Sequence, residues 1–245
     1  MNLDLQKNRL GKRLRTSAML LGAVCMMLPV ANAQQKPAYA LRSVLAQIDA
    51  AAKNFRSAQA DFQWDQYERV VDNTDTQIGT IDFLRSGDTT EMAAHVKKFN
   101  GQPDAKEVVY KDGVLEFYQP AIDQMTVLHA GKNQERFESF LTLGFGGSGS
   151  ALEKNWEIND QGVETIDGVQ TVKLDLVGKQ ASVRSMFTHI TIWMDPTRAL
   201  SLKQQFFEPS GDMRTAFYRN IRYNKRVAAS AFHIKTTSKT NTVQK

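Results

Sequence analysis

The 245-residue chain carries 31 basic and 26 acidic residues, a net charge of +5. The excess sits at the start: removing residues 1–33 takes away five basic residues and one acid and leaves +1. That excludes the basic balance as a sign of nucleic-acid binding, and Cys25, the only cysteine, excludes a disulfide framework.

Lys7, Arg9, Lys12, Arg13 and Arg15 form a basic opening, followed by the apolar run Ala18–Val30 and then Ala31-Asn32-Ala33. This is the pattern of a secretory signal peptide, over residues 1–33, cleaved after Ala33. The run is shorter than the roughly 20 residues that span a bilayer. Val24 before Cys25, and Met26 to Leu28 after it, lack the small-residue context of a lipidated cysteine. Residues 34–245 are expected to form a single domain.

Leu41, Val44, Leu45, Ile48, Ala52 and Phe55 recur at helical spacing and predict an opening helix. The period then changes to two. Ala58, Ala60, Phe62 and Trp64 alternate with polar residues, as do Gly79, Ile81 and Phe83, then Met92, Ala94 and Val96. Residues 71–77 read as a turn and 100–105 as a loop. A hairpin is expected around Asp112-Gly113, then an extended piece broken by Pro120. Residues 134–143 return to helical spacing, and the glycine-rich stretch Gly144 to Gly149 follows. Beyond it, a turn is expected at Gln161-Gly162 and a hairpin at Asp167-Gly168. Ile190, Ile192 and Met194 alternate with His189, Thr191 and Trp193. Two further strands, a short one at 231–234 and a frayed polar tail complete the reading. Hairpin-linked strands without βαβ alternation predict an α+β fold with an antiparallel sheet, one face solvated and the other covered by helices.

Gly144, Gly146 and Gly149 match G-x-G-x-x-G, but helical spacing precedes them and antiparallel hairpins follow, which is the wrong setting for a dinucleotide. No Lys follows Gly149, and Ser150 stands where a nucleophile elbow needs glycine. We read Gly144, Gly146, Gly147 and Gly149 as a hinge, with Ser150 to Glu153 as a capping box opening a short helix. His95, His129, His189 and His233 lack ligand spacing, so no metal or cofactor is expected. A triad assembled from distant residues would leave no signature.

Aromatic and aliphatic residues come from nearly every element. A plain core accounts for most of them. A broad sheet with few helices also leaves an inner space suited to acyl chains or a lipidated peptide. Phe62, Trp64, Ile81, Phe83, Leu115, Phe117, Ile190 and Ile192 are the candidate sheet-side lining; Phe140, Leu143 and Phe145 are the candidate lid side.

The segment Tyr110 to Gln124 has a DG turn (Asp112, Gly113), then Leu115, Phe117, Tyr118, Pro120 and Gln124. It resembles the LolA-like family of outer-membrane lipoprotein-sorting carriers. Ala60, Phe62 and Gln63 resemble the family's early motif, and Phe232 to Lys235 its closing strand. The order of the later segments looks like a longer exported branch. The resemblance implies an unclosed antiparallel half-barrel with helices as a lid over a hydrophobic cavity. It also implies a monomeric, non-enzymatic periplasmic carrier. Such a carrier moves lipoprotein acyl chains or lipid toward the outer membrane, between membrane-associated donor and acceptor proteins. The family's lid-holding Arg-Pro step is here Arg85-Ser86, so the resemblance assigns lid control to Arg85 without its proline. An envelope-stress sensor domain of the same fold is the alternative.

Overall fold

The computed structural model describes residues 41–245 apart from 88, 132–139 and 141–142. The expected signal peptide, and all but Phe140 and Leu143 of the helix expected over 134–143, lie outside the described residues.

Helix α1, Leu41–Asn54, buries Val44, Leu45, Ile48, Ala51 and Ala52 along one stripe. Phe55, fully buried, follows its end. Six strands then run as an antiparallel meander: β1 Ser57–Glu68, β2 Asn73–Ser86, β3 Thr89–Phe99, β4 Gln102–Lys111, β5 Val114–Gln119 and β6 Gln124–His129. A second meander follows α2, Gly149–Asn155. It comprises β7 Trp156–Ile166, β8 Val169–Gly178, β9 His189–Asp195, β10 Leu200–Phe207 and β11 Met213–Tyr223, with α3, Ala181–Arg184, between β8 and β9. β11 returns to pair with β1 and joins the meanders. β12, Asn241–Gln244, lies parallel beside β6. The sheet order is β12-β6-β5-β4-β3-β2-β1-β11-β10-β9-β8-β7, so its two edges do not meet and the barrel is unclosed.

The turns show where sequence spacing misleads. Asn100 and Gly101 both have positive φ, 48° and 79°, which is the two-residue hairpin geometry of Asn-Gly. The expected loop over 100–105 is therefore only that turn, and Gln102 onward is strand. Pro103 is tolerated in β4 because it sits beside a register shift opposite Lys98. Gln161-Gly162 is not a turn either. β7 runs through it as a bulge between Asp160 and Val163, and Asp160 accepts the Gly162 N–H at 2.8 Å. Turn residues occupy 69–72, and β2 has begun by Asn73, earlier than expected. Pro120 opens a 3-10 turn through Ile122. The short strand expected at 231–234 is instead a 3-10 turn, Ala229–Phe232, and the tail expected to fray supplies β12.

Register places Ala58, Ala60, Phe62 and Trp64 opposite Phe83, Ile81, Gly79 and Gln77 on one face. The same face continues through Tyr218 and Ala216 of β11, Gln204 and Phe206 of β10, and Ile192 and Ile190 of β9. This inner face carries two apolar clusters. Under α1, Val44, Leu45 and Ile48 pack on Leu174, Leu176, Ile190 and Ile192. Beside it, Phe55, Phe62, Ile81, Phe83 and Phe145 pack with Tyr218. On the outer face, Val227, Phe232 and Ile234 of the C-terminal segment cover Ala93, Val109, Tyr118, Met125 and Val127. Asp123 fastens this strap, accepting from Tyr118 at 2.9 Å, Thr237 at 2.8 Å and Thr240 at 2.6 Å. Those hydroxyls, Thr240 first, hold its carboxyl below the ordinary range. Trp193 also points outward, buried beneath the ammonium groups of Lys203 and Lys173 at 4.2 and 5.0 Å.

Candidate functional site: an inner apolar cavity and its glycine-flanked plug

A cavity of about 200 Å³ lies on the inner face where the two meanders join. Trp64, Ile81, Phe83 and Met92 line it from the first meander; Gln204, Phe206, Arg214, Ala216 and Tyr218 line it from the second. Phe140, from the segment before the glycines, completes it. Trp64 is half-buried and its ring lies tilted against the buried Phe62, centroids 4.3 Å apart. Phe206 and Phe140 both pack against Phe187.

The cavity has one polar pole. Tyr218 donates to Gln204 Oε1 at 3.1 Å, and Gln204 Nε2 donates to the Leu143 carbonyl at 2.5 Å. Both side chains are buried, so this chain satisfies groups that would otherwise be costly. Burial pushes the Tyr218 phenol well above its usual range, which keeps it a neutral donor.

Phe145 fills the inner face beside the cavity. It is 1% exposed, stacked on Phe83 at 3.9 Å and edge-on to Tyr218 at 4.7 Å. The backbone on either side is pinned. Phe145 bridges to Leu200, Gly144 accepts the Ser201 N–H at 2.7 Å, and Gly146 donates to Ala199 at 3.0 Å. Arg85 Nη2 donates to the Gly146 carbonyl at 2.6 Å. Gly144 and Gly146 have φ of +77° and +74°, and a side chain on Gly146 would collide with the Phe55 ring. A side chain on Gly149 would collide with the Leu45 carbonyl. Gly144, Gly146 and Gly149 serve close approach or left-handed backbone in a seated segment. The capping box also shifts. Ser148 is the N-cap of α2, accepting the Ala151 N–H at 3.1 Å, while Ser150 lies inside the helix and bonds Asp49 of α1.

The expected lining thus divides. Trp64, Ile81, Phe83 and Phe140 converge on the cavity. Ile190, Ile192 and Leu143 lie in the core under α1, because that helix packs directly onto β8 to β10. Leu115 is half-buried beside the Phe62 cluster, and Phe117 is half-buried on the same face of β5. Met92, Gln204, Phe206, Arg214, Ala216 and Tyr218 join the lining without a sequence signal that singles them out. Arg214, Ala216 and Tyr218 do alternate along β11, but flanking Thr215, Phe217 and Arg219 blur which face is apolar. A larger cleft of about 570 Å³ abuts Gly146 and Gly147; Asp49, Lys53, Arg85 and Thr90 give it a polar lining unsuited to an acyl chain. Among the described residues, no cluster of His, Cys, Asp and Glu could hold a metal ion, and no helix is long and apolar enough to cross a membrane.

This is the half-barrel fold expected from the LolA-like resemblance: an unclosed, mainly antiparallel sheet with helices and an apolar cavity on its inner face. Solved structures share it. An uncharacterized conserved protein from Thermus thermophilus matches with a TM-score of 0.53 and 9% identity, over 83% of this chain and 98% of that one. The Pseudomonas aeruginosa MucA/MucB complex matches with a TM-score of 0.50 and 14% identity, over 80% of this chain and 61% of the matched chain. A putative outer membrane lipoprotein-sorting protein domain from Vibrio parahaemolyticus matches with a TM-score of 0.44 and 13% identity, over 78% and 95%. At these identities the likeness to the first two is one of fold alone. No family model matches the chain, and no curated protein matches it.

Proposed function

We propose that this chain is an exported, non-enzymatic carrier that shelters an acyl chain of a lipid or lipoprotein in its inner cavity. It works in the periplasm and moves that cargo toward the outer membrane. The observation that carries the reading is the apolar cavity on the inner face, walled by Trp64, Ile81, Phe83 and Phe206, with Phe145 packed on Phe83 and Tyr218 beside it. Apolar lining with few polar groups gives affinity without fixed orientation, which suits uptake and release. The signal-like leader and the family resemblance support the same reading. Residues 34–245 act in it as one binding domain. Native mass spectrometry of protein from a membrane-containing host, paired with uptake of a fluorescent acyl probe, tests it. Co-purifying lipid and saturable uptake are expected; the absence of both refutes it.

A second reading is a sensor domain that reports mislocalised lipoproteins to a protein partner. Its support is the fold shared with MucB, which was solved in complex with MucA. A pull-down from envelope extract separates the two: a stable stoichiometric protein partner favours the sensor, and transient lipoprotein cargo favours the carrier.

A further inference from the structure

The inner cavity has two properties that an acyl-binding site does not require. It is small, and its described lining carries a single charge. At about 200 Å³ it lies below the roughly 300–1,000 Å³ of pockets that take drug-sized ligands. It therefore holds one chain, not a pair. Among its described lining residues Arg214 is the one ionised side chain. Arg214 is exposed at the rim, where its Nε donates to the neutral Gln66 Oε1 at 2.9 Å. No carboxylate among the described residues is ion-paired with it. The other polar groups of the lining, Gln204 and Tyr218, are already engaged with each other and with the Leu143 carbonyl. They offer a ligand head far less than the guanidinium does.

The strand sets the geometry. Arg214, Ala216 and Tyr218 alternate on the inner side of β11, so the backbone positions of the rim arginine and the buried tyrosine stand about 13 Å apart along the strand. That span leaves room for one extended chain of medium length between a charged mouth and a closed inner end.

We propose that this cavity selects a single-chain amphiphile with a carboxylate head, the head paired with Arg214 and the tail running along β11 toward Tyr218. The selection rests on the acyl-binding reading above and adds a head group to it. A carboxylate accepts two parallel N–H donors from a guanidinium, whereas an alcohol does not and a quaternary ammonium is repelled.

Calorimetric titration of the full chain with decanoate, 1-decanol and decyltrimethylammonium tests this. Decanoate is expected to bind about tenfold or more tightly than decanol, with decyltrimethylammonium weakest. Arg214→Gln, at an exposed position and checked by its melting curve, should bring decanoate and decanol to similar affinity. Arg214→Lys, which keeps the charge but loses the fork, should fall between. Equal binding of decanoate and decanol to the unchanged protein, or a preference that survives Arg214→Gln, overturns the head-group assignment and leaves the acyl reading standing. Binding of none of the three overturns both.

Discussion

Replacing Phe145 by alanine separates a packed plug from a loose lid loop. The ring is 1% exposed and lies against Phe83 at 3.9 Å and Tyr218 at 4.7 Å. Removing a fully buried phenyl costs about 3–5 kcal/mol, comprising lost transfer energy and an unfilled hole. The backbone will not collapse into that hole easily, because Gly144 and Gly146 are fixed by hydrogen bonds to Ser201 and Ala199. The upper half of the range is therefore expected. For a chain of this size the melting temperature should fall by roughly 8–20 °C. The vacated space adjoins the cavity lined by Phe83 and Tyr218, so Phe145→Ala should also take up more of a fluorescent acyl probe. Circular dichroism melting and probe titration read the two effects. A loss below about 1 kcal/mol, the scale of an exposed substitution, would show that Phe145 is not part of the core. Reduced probe uptake by a folded variant would show that its ring belongs to the binding surface rather than plugging it.

Gly146→Ala should lose at least about 2 kcal/mol in urea unfolding, from left-handed backbone and from collision with the Phe55 ring; a near-neutral variant would mean the segment can reseat. Arg85→Gln removes the donor to the Gly146 carbonyl, so amide exchange over residues 143–149 and ligand exchange should both quicken. Unchanged rates would strip Arg85 of lid control. Asp123 is held below its ordinary value by Thr240, Thr237 and Tyr118. Such a carboxylate supports the fold above its unfolded pKa, and that support is lost as pH falls through the lower folded value. Protection of residues 241–244, taken relative to the intrinsic amide exchange rate at each pH, should therefore fall as pH drops below about 4, and Asp123→Asn should show the same opening at neutral pH; equal protection in both proteins would rule out this fastening.

Period-two spacing exposed the inner face of β1 and β2, because Phe62, Ile81 and Phe83 alternate with residues that water tolerates. The same rule cut β4 short, where Pro103 hid the opening residues of a strand that a bulge permits. It failed on β12, whose polar side chains leave no pattern because its order comes from backbone pairing to β6 and from Asp123. The cavity was half legible. Trp64 and Phe83 stand out as large apolar residues on a one-sided strand. Gln204 and Tyr218 satisfy each other across β10 and β11, a relation that spacing along either strand does not encode. The glycines announced an unusual backbone, but only the neighbouring Phe55 and Leu45 reveal that they are there for closeness.

The seam between β1 and β11 has a consequence for assembly. Each meander is built from neighbours in sequence, whereas the seam joins residues such as Phe62 and Tyr218, far apart along the chain. Such non-local pairing forms late and slowly. The cavity draws its walls from both sides of that seam, and Phe145 bridges it by touching Phe83 of one meander and Tyr218 of the other. Neither meander alone presents the site. Cargo that binds only the joined form must raise the stability of the seam by mass action, so a loaded molecule is harder to pull into its two halves than an empty one.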